Sequence, residues 1–275
     1  MSSSTLAPLD SWPQAARSRI TGVLTDIDDT LTTDGAITAD ALAAMDDLKA
    51  AGLHVIAITG RPVGWSEPFA LAWPIDAIVA ENGAVALRRN AAGGLDRLYQ
   101  QDAATRAANY ARMQQVLAHI EASIAGARRA TDSAGRETDI AIDHSEFTQL
   151  SEAQIDKVVL AMRHEGMHAT VSSIHVNGWY GEHNKFEGAR WIVRELLARA
   201  LDAERDHWVY VGDSTNDALM FQAFANSVGV ANVARFVPHL SHLPRYVTQG
   251  ERGAGFAEVA RAVLAARAQP EFSVK

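Results

Sequence analysis

The fold is decided by the stretch Ile20-Thr21-Gly22-Val23-Leu24-Thr25-Asp26-Ile27-Asp28-Asp29-Thr30. A short apolar run that ends in acids is typical of a buried strand in a parallel sheet. Asp26 and Asp28 are two positions apart, so on a regular strand their side chains share a face. Carboxylates so close repel each other unless a cation or hydrogen-bond donors lie nearby, and Mg²⁺ would stabilise both and hold a phosphate oxygen. The alternative for this segment alone is a polar loop in which Asp29 or Thr30 caps a helix.

Two further apolar runs are followed directly by polar residues. Leu53–Ile58 precedes Thr59-Gly60-Arg61-Pro62, and His207–Val211 precedes Gly212-Asp213-Ser214-Thr215-Asn216-Asp217. Between them, a lone lysine, Lys185, opens a helical pattern. Because ligands of open parallel sheets bind beyond the carboxyl ends of the strands, we expect these segments to lie near one edge of the sheet.

The turn after the second run suits an anion. The hydroxyl of Thr59 and nearby N–H groups can bind phosphate, and Gly60 permits close approach of the backbone. A lysine at position 185 can neutralise a carboxylate–phosphate pair. Taken singly, an ordinary strand-to-helix turn and a surface lysine are the more common interpretations of these two features.

The last of these segments can form part of a metal site. Asp213 and Asp217 are four positions apart across a strand-to-helix turn, where they can converge on one ion. Asn216 can orient them or cap the helix that follows. A simple capped turn is the alternative, since three potential capping residues stand in a row here.

Strand and helix patterns alternate along most of the chain. Short apolar runs predict strands at Ile20–Thr25, Leu53–Ile58, Ala77–Ala80, His207–Val211, Ser227–Val230 and Tyr246–Thr248. Apolar residues at helical spacing predict helices at Thr38–Ala51, Lys185–Ala203, Asp217–Ala225 and Ala257–Ala266, the first with Thr38 as its N-cap and Gly52 closing it. This alternation predicts an α/β fold, a parallel sheet with helices on both faces.

The stretch from about Leu87 to Glu182 breaks that alternation, and we interpret it as an inserted α+β domain. It begins with a Gly-rich link, Arg88–Gly94. The patterns after the link predict a long helix at Ala103–Ala125, a strand at Thr138–Asp143, a helix from Ser151 to His164 and a strand at His168–Val176. Asn177-Gly178 has the form of a hairpin turn.

The composition narrows the classes of function. The chain has 275 residues, 48% of them hydrophobic, and a formal charge of −8. This acidic balance, without a dense basic block, argues against nucleic acid as a partner. The absence of cysteine excludes a disulfide scaffold, a thiol nucleophile and a cysteine-ligated zinc site. Met1–Arg19 lacks the apolar core of a secretory signal and no run approaches a span of about 20 apolar residues, so we expect a cytoplasmic protein without membrane contact.

Taken together, the segments resemble motifs I to IV of the haloacid dehalogenase-like (HAD) hydrolases. The four motifs are Asp26–Thr30, Thr59–Arg61, Lys185 and Gly212–Asp217. The insertion between motifs II and III is that of the type II cap class, and Glu81-Asn82-Gly83-Ala84 is similar to a turn of its Cof-like, sucrose-phosphatase-like branch (IIB). The resemblance implies a Rossmann-like core at 1–86 and 183–275 and a C2-type cap at 87–182.

The resemblance also implies roles for individual residues. Asp26 would attack phosphorus and become an aspartyl phosphate, while Asp28 would protonate the leaving group and then activate water. Thr59, Gly60 and Lys185 would bind the phosphoryl group. A Mg²⁺ cofactor would be held by Asp26, the carbonyl of Asp28, Asp213 and Asp217, with Asn216 beside them.

Substrate choice is expected to lie in the cap. The candidate contacts are Arg61, His144, His175, Trp179 and His183. Trp179 can stack on a sugar face, although packing of this ring between cap and core is the stronger alternative. Most of the histidines are expected to be ordinary surface groups.

We therefore expect a Mg²⁺-dependent phosphatase that acts on a small phosphorylated metabolite, in the first place a sugar phosphate. The chain would work as a monomer or homodimer. A sugar phosphomutase of the same superfamily is the alternative, and it would need a bisphosphate activator. A non-catalytic binding module is the third interpretation, against which the intact set of acids and the lysine argues.

Overall fold

The computed structural model describes residues 6–268. The strands, numbered in chain order, are β1 (Ala7–Pro8), β2 (Gly22–Thr25), β3 (Thr32–Thr33), β4 (Ala36–Ile37), β5 (His54–Ile58), β6 (Ala77–Ala80), β7 (Val85–Arg89), β8 (Leu95–Tyr99), β9 (Arg128–Arg129), β10 (Ile140–Asp143), β11 (His168–Val171), β12 (His175–Trp179), β13 (Trp208–Gly212), β14 (Ser227–Gly229) and β15 (Tyr246–Val247). The helices are α1 (Gln14–Arg17), α2 (Ala39–Ala50), α3 (Val63–Ala72), α4 (Ala103–Ser123), α5 (Glu152–His164), α6 (Lys185–Leu197), α7 (Ala218–Ala223) and α8 (Arg252–Ala268). Residues 1–5, which open the predicted core and the Met1–Arg19 segment, and residues 269–275, which end the predicted core, lie outside the described residues.

The described residues form two compact units. Unit 1 contains the chain up to Ile58, Ala72–Ala77 and the chain from Ile192 onward, and unit 2 contains Thr59–Leu71 and Ile78–Trp191. Unit 2 therefore includes the turn after β5 as well as the predicted inserted segment 87–182, and β7 runs through residue 87. The boundaries of core and cap stay a prediction.

Unit 1 is built on a parallel sheet with the strand order β1-β15-β14-β13-β2-β5. β2 and β13 are buried at every residue, as strands covered on both faces are, and Val23 of β2 lies opposite Val209 of β13. On its other side Val23 lies opposite Val55 of β5. Because these strands are parallel, the residues that follow them leave the sheet along one edge. The predicted α/β fold with a parallel sheet is confirmed.

Helix α2 begins and ends where the sequence predicts. The hydroxyl of Thr38 accepts a hydrogen bond from the N–H of Ala41 at 3.4 Å, which caps the first turn. Gly52 follows the helix with a φ of 78°, in the left-handed region that favours glycine. α2 packs against α8. Helix α8 begins at Arg252, before the predicted start at Ala257, and the sequence did not indicate its first turn because Gly253 and Gly255 interrupt the apolar pattern there.

In unit 2, β6, β7 and β8 are antiparallel neighbours, with Ile78 opposite Leu87. The Gly-rich stretch predicted as a link is the turn of the β7–β8 hairpin. The side chain of Asn90 accepts hydrogen bonds there from the N–H groups of Ala92 (3.1 Å) and Gly94 (3.0 Å). The side chain of Asn90 thus fixes this turn, whereas the glycines alone did not indicate a hairpin in the sequence.

A second antiparallel sheet of unit 2 has the order β11-β12-β10-β9. Helices α4 and α5 pack on it through an apolar cluster to which Met113, Ile120, Val158 and Ile142 contribute. α5 begins with the predicted capping box, in which Ser151 and Gln154 bond to each other's backbone N–H. The α+β character predicted for this segment is confirmed. Among residues 6–268, no helix combines the length and the apolar character that crossing a membrane requires.

The hairpin turn predicted at Asn177-Gly178 is wrong. Both residues lie inside β12, where Asn177 pairs with Thr170 and with Ala141, and the chain turns earlier, at residues 172–174. Gly178 lies close to α5, because a Cβ atom there would be 2.6 Å from the Sδ atom of Met162 and the methionine side chain would have to move. Asn-Gly is common in turns, but in this chain it lies where strand β12 comes close to helix α5.

Candidate active site

Three carboxylates meet at the carboxyl edge of the sheet of unit 1. Asp26 follows β2, while Asp213 and Asp217 follow β13, and one carboxylate oxygen from each lies within 4.8 Å of the others. The N–H of Asp26 donates to the carbonyl of Val211 at 2.9 Å, which continues the pairing of the two strands beyond their ends. All three side chains are buried. Parallel pairing thus brings together residues 187 and 191 positions apart, as the sequence predicts.

Asp217 is held by donors from its own turn and from β13, the strand before it. Its Oδ2 atom accepts from the N–H groups of Asp213 (2.9 Å) and Ser214 (3.1 Å), and its Oδ1 atom accepts from the hydroxyl of Tyr210. Burial, together with the charge of Asp217, raises the pKa of Tyr210 well above its usual value, so the phenol stays protonated and donates. Gly212 is required here because a Cβ atom would lie 2.5 Å from Asp217 Oδ2.

Asp213 is held from a different part of the chain. The Nδ2 atom of Asn232 donates to Asp213 Oδ2 at 3.1 Å and to the carbonyl of Asp29 at 3.0 Å. Asn232 lies in a short 3₁₀ turn after β14. Neither Tyr210 nor Asn232 stands out in the sequence, because each acts on a partner that only the fold brings near.

The Asp26–Thr30 segment does not cap a helix. The N–H groups of Thr30 and Leu31 bond to the carbonyl of Ile27, and the chain then enters the β3–β4 hairpin. Asp29 has a φ of 54° and its carboxylate pairs with Arg252 at 3.1 Å. Asp28 is half-buried, and its carboxylate is outside the cluster of three.

The side chain of Asn216 is also half-buried, and its Oδ1 atom accepts a hydrogen bond from the hydroxyl of Ser214 at 3.0 Å. This bond fixes the turn between Asp213 and Asp217.

The donor set fits a hard divalent cation. Carboxylate oxygens are the ligands that Mg²⁺ prefers, and three buried carboxylates this close repel one another strongly without a counter-charge. Asp26, Asp213 and Asp217 are therefore the residues that would hold such an ion.

The predicted phosphate-binding turn lies in unit 2. Thr59 is fully buried, and its hydroxyl accepts a hydrogen bond from the N–H of Arg61 at 3.0 Å. The carbonyl of Gly60 accepts from Arg136 (3.0 Å) and from the side chain of Asn177 (3.3 Å). The turn is thus fixed by side chains more than 70 residues further along the chain.

Lys185 begins α6, as predicted, and only 3% of it is exposed. Asn184 caps this helix, since its Oδ1 atom accepts from the N–H groups of Phe186 (2.9 Å) and Glu187 (3.0 Å). The surface-lysine alternative is therefore wrong. A buried lysine at a fixed helix start is suited to binding an anion.

Arg61 is held between two carboxylates. Its guanidinium lies 2.8 Å from Glu146 and 3.2 Å from Asp132, and Glu146 also bonds to Nε2 of His175 at 2.9 Å. Burial raises the pKa of Glu146, but the hydrogen bonds from His175 and Arg61 outweigh it and lower that pKa to about 2. The structure thus brings together two predicted substrate residues, Arg61 and His175, through a carboxylate that stays ionised.

A second ionic group, Asp139 with Arg136, is buried beside the turn at Thr59–Arg61. Asp139 accepts from Arg136 at 2.7 Å and from the side-chain amides of Asn82 and Asn177, both at 3.2 Å. Burial raises the pKa of Asp139 to about 7, although Arg136 opposes that shift. The carboxylate of Glu81 accepts from backbone N–H groups at three positions, Val63, Glu137 and Thr138. The sequence identified the Glu81–Ala84 turn but not these partners.

The candidate histidines are not surface groups. His144, His175 and His183 are all buried, and Nε2 of His144 lies 3.1 Å from the carbonyl of Ser172. Burial lowers the pKa of His144, and burial together with the charge of His168 lowers that of His183 to about 4. The other seven histidines are exposed or half-buried, so most of the histidines lie at the surface, as expected, and these three are the exceptions.

Trp179 is 3% exposed and belongs to the apolar cluster of unit 2. Its indole stacks with the rings of His168 and His183, and its Nε1–H donates to the carbonyl of His183 at 2.8 Å. This is the environment of a residue that packs within unit 2, which argues against stacking on a sugar, while packing between cap and core stays a prediction.

Comparison with known proteins gives both a family and a fold. The family model described as haloacid dehalogenase-like hydrolase matches residues 23–171, more than half of the chain. No curated protein matches.

Several solved structures are similar in fold. Thermoplasma acidophilum 0175 has a TM-score of 0.67 at 16% identity, covering 89% of this chain and 98% of that chain. The sucrose-phosphatase from Synechocystis sp. PCC6803, solved with sucrose and phosphate, has a TM-score of 0.63 at 16% identity, covering 88% and 97%. The HAD subclass IIB sugar phosphatase BT4131 has a TM-score of 0.59 at 15% identity, covering 88% and 96%.

Proposed function

The chain belongs to the haloacid dehalogenase-like hydrolases, and from this premise we propose that it is a Mg²⁺-dependent phosphatase. Its substrate would be a small phosphorylated metabolite, a sugar phosphate, and the reaction would pass through an aspartyl phosphate. The observation that carries the proposal is the meeting of Asp26, Asp213 and Asp217 within 4.8 Å at the carboxyl edge of a parallel sheet. Such an edge is where ligands bind in open α/β sheets.

The metal site would be formed by these three carboxylates and the carbonyl of Asp28. When bound, the cation would offset the mutual repulsion of the acids and the negative charge of the phosphate. The hydrogen bonds to Asp213 and Asp217 support this assignment, because both side chains are already fixed by Asn232, Tyr210 and backbone N–H groups.

Asp26 would be the nucleophile, and Asp28 would be the general acid and base. Asp26, whose backbone is anchored to β13, would attack phosphorus through its carboxylate, forming an O–P bond as the bond to the leaving alkoxide breaks. Asp28 would give its proton to that alkoxide and later take one from the water that hydrolyses the aspartyl phosphate. The half-buried position of Asp28 supports this role, because proton exchange needs access to water.

The phosphoryl group would be bound by Thr59, Gly60 and Lys185. Burial of Lys185 supports this part of the proposal, since a desolvated ammonium attracts an anion more strongly than an exposed one. The hydrogen bonds to the Gly60 carbonyl hold the turn in one conformation, which reduces the ordering cost of binding.

The surroundings of this turn support a hydroxyl-rich leaving group. Asn82 and Asn177 have side-chain oxygens 3.2 and 3.3 Å from the place that a Cβ atom would take at Gly60. Glu146 stays ionised, and its carboxylate can accept hydrogen bonds from hydroxyl groups. Arg61 and His175 would act chiefly by positioning Glu146.

The test is phosphate release from a panel of sugar phosphates, nucleotides and phosphorylated acids, with Mg²⁺ and with a chelator. We expect hydrolysis of sugar phosphates in Mg²⁺ only, and none by Asp26→Asn. Asp47→Asn, which removes an exposed charge from α2, is the matched control and should behave as the unaltered protein. Full activity in chelator would contradict the metal site. A requirement for a sugar bisphosphate, with little phosphate released, would replace the phosphatase by a phosphomutase. A cytoplasmic location and a monomer or homodimer stay predictions.

A further inference from the structure

Asn232 links three separate segments of unit 1 at the edge where the three carboxylates meet. Its Nδ2 atom donates to Asp213 Oδ2 (3.1 Å) and to the carbonyl of Asp29 (3.0 Å). Its Oδ1 atom accepts from the N–H of Arg252, the first residue of α8, at 2.9 Å. Only 3% of Asn232 is exposed. One amide thus joins the loop after β2, the loop after β13 and the start of α8.

This arrangement requires an amide. The two acceptors, a carboxylate and a carbonyl, both face the nitrogen, and the one donor faces the oxygen, so the three bonds are satisfied in a single orientation of the side chain. The backbone on either side is also constrained, since Asp29 and Arg252 both have a φ of 54° and their side chains form an ion pair at 3.1 Å. The position of Asn232 is therefore fixed from several directions.

The contacts of Asn232 affect two of the groups in the proposed metal site. One bond holds Asp213 by the carboxylate oxygen nearest the amide. The other bond holds the carbonyl of Asp29. This carbonyl is the next one along the chain after that of Asp28, which is a proposed metal ligand. Groups that orient ligands in this way contribute strongly to metal affinity, although they do not touch the ion.

We propose that Asn232 is a positioning residue of the metal site, which orients Asp213 and the Asp28–Asp29 peptide for a divalent cation. The inference rests on the proposed function, because it presupposes that the three carboxylates bind a cation. It assigns the effect to a residue that lies outside the four motif segments, 15 positions after the end of the last one.

A purely structural role is the competing explanation, and unit 1 contains a residue that separates the two. Asn226 is 6% exposed and is also held by three bonds: it accepts from Trp12 Nε1 (3.0 Å) and donates to the carbonyls of Asp206 (2.9 Å) and Trp208 (3.5 Å). These partners are backbone carbonyls and an indole, not members of the carboxylate cluster. Asn226 is thus a matched control for the loss of a buried amide.

The experiment compares Asn232→Ala with Asn226→Ala in the full chain. Isothermal titration with Mg²⁺ should show a Kd raised by about 10–100-fold for Asn232→Ala, and a Kd within about twofold of the unaltered protein for Asn226→Ala. Both variants should melt at a lower temperature in chelator. The rise in melting temperature on adding Mg²⁺ should be smaller for Asn232→Ala and unchanged for Asn226→Ala, because weaker binding stabilises less at a fixed metal concentration.

If Asn232→Ala does not fold, Asn232→Ser with Asn226→Ser provides the same comparison, since a serine hydroxyl suits the polar surroundings but is too short to hold Asp213. Equal Kd values for the position-232 variant and the unaltered protein would overturn the role of Asn232 while leaving the metal site in place. Absence of Mg²⁺ binding by the unaltered protein would overturn the proposed metal site, and the role of Asn232 with it.

Discussion

Each unit of the molecule contains a group of acids that are buried or half-buried, and the two groups are held in opposite ways. In unit 1, Asp26, Asp213 and Asp217 point at one another, and the donors that fix them include uncharged N–H and O–H groups. In unit 2, Asp139 and Glu146 are bonded to the arginines Arg136 and Arg61. Burial alone therefore does not distinguish a metal site from an ionic network. The distinction lies in whether the acids converge on each other or on arginine side chains.

This difference predicts different consequences for removing one acid from each group. Loss of an acid from the converging group relieves repulsion and should cost activity more than stability. Loss of a partner from the arginine group leaves a buried charge uncompensated and should cost stability.

The largest effect is expected for Asp26→Asn. The amide keeps the shape of the side chain but has no attacking charge, so hydrolysis of an aryl phosphate should fall to background and no covalent phosphate should form. Mass spectrometry of quenched peptides spanning Gly22–Thr30 provides the measurement. The melting temperature in chelator should not fall, because one of three repelling charges is removed. A phosphopeptide from this variant would show that another residue is the nucleophile.

A smaller loss is expected for Asp28→Asn. General acid–base catalysis contributes typically about 10²–10⁴-fold, and an aryl leaving group needs little protonation. This variant should therefore form the phosphoenzyme from an aryl phosphate and hydrolyse it slowly, so that phosphate accumulates on Asp26. The matched comparison is an alkyl phosphate of similar size, on which the loss should be greater because the alkoxide needs the proton. Phosphate on residue 28 of the unaltered protein would reverse the assigned roles.

The two groups also differ in how far the sequence predicts them. The acids of unit 1 follow buried apolar runs, and parallel strands must bring such positions to one edge, so the cluster is predictable from spacing and strand type. The arginine network of unit 2 is not predictable in this way. Arg136 reaches the carbonyl of Gly60 across 76 positions, and nothing in either local sequence indicates the contact.

The errors in the fold have the same origin. Asn177-Gly178 satisfies the local rule for a turn, yet the glycine serves a helix that packs on the strand from another part of the chain. Asn232 and Tyr210 likewise have no local signature, because an amide or phenol acquires its role only from the partner that the fold provides. Local patterns predicted the elements and the edge of the sheet, whereas the residues that fix the side chains at that edge required the structure.

The stability half of the comparison is tested by Arg136→Ala. Arg136 bonds to Asp139 (2.7 Å) and Asp132 (3.1 Å) and is almost fully buried, and breaking a buried pair by removing one partner costs about 3–5 kcal/mol. The control is Arg97→Ala, since Arg97 pairs with Glu67 and Glu137 at the surface and such pairs contribute about 0–1 kcal/mol. Urea unfolding gives both values. If Arg136→Ala lost no more free energy of unfolding than Arg97→Ala, Arg136 would not stabilise the network of unit 2.

The most specific effect concerns the pH dependence of stability. The pKa of Asp139 is raised from 3.8 to about 7, so the folded chain binds this proton more tightly than the unfolded chain. Its contribution to stability is complete below pH 3.8 and is lost as the pH rises to about 7. The pKa of His183 is lowered from 6.5 to about 4, and its contribution, present above pH 6.5, is lost as the pH falls to about 4. The two groups therefore oppose each other between about pH 4 and 6.5.

Asp139→Asn removes the contribution of Asp139 to the pH dependence of stability. The free energy of unfolding of the variant, relative to the unaltered protein, should rise with pH across that interval by up to about 1.4 kcal/mol per unit. His183→Gln should show the reverse, a relative stability that falls as the pH rises. Urea unfolding at half-unit steps from pH 4 to 7 measures both slopes. Parallel curves for Asp139→Asn and the unaltered protein would mean that Arg136 keeps Asp139 ionised throughout, and the acids of unit 2 would then be fixed as ion pairs over the whole interval.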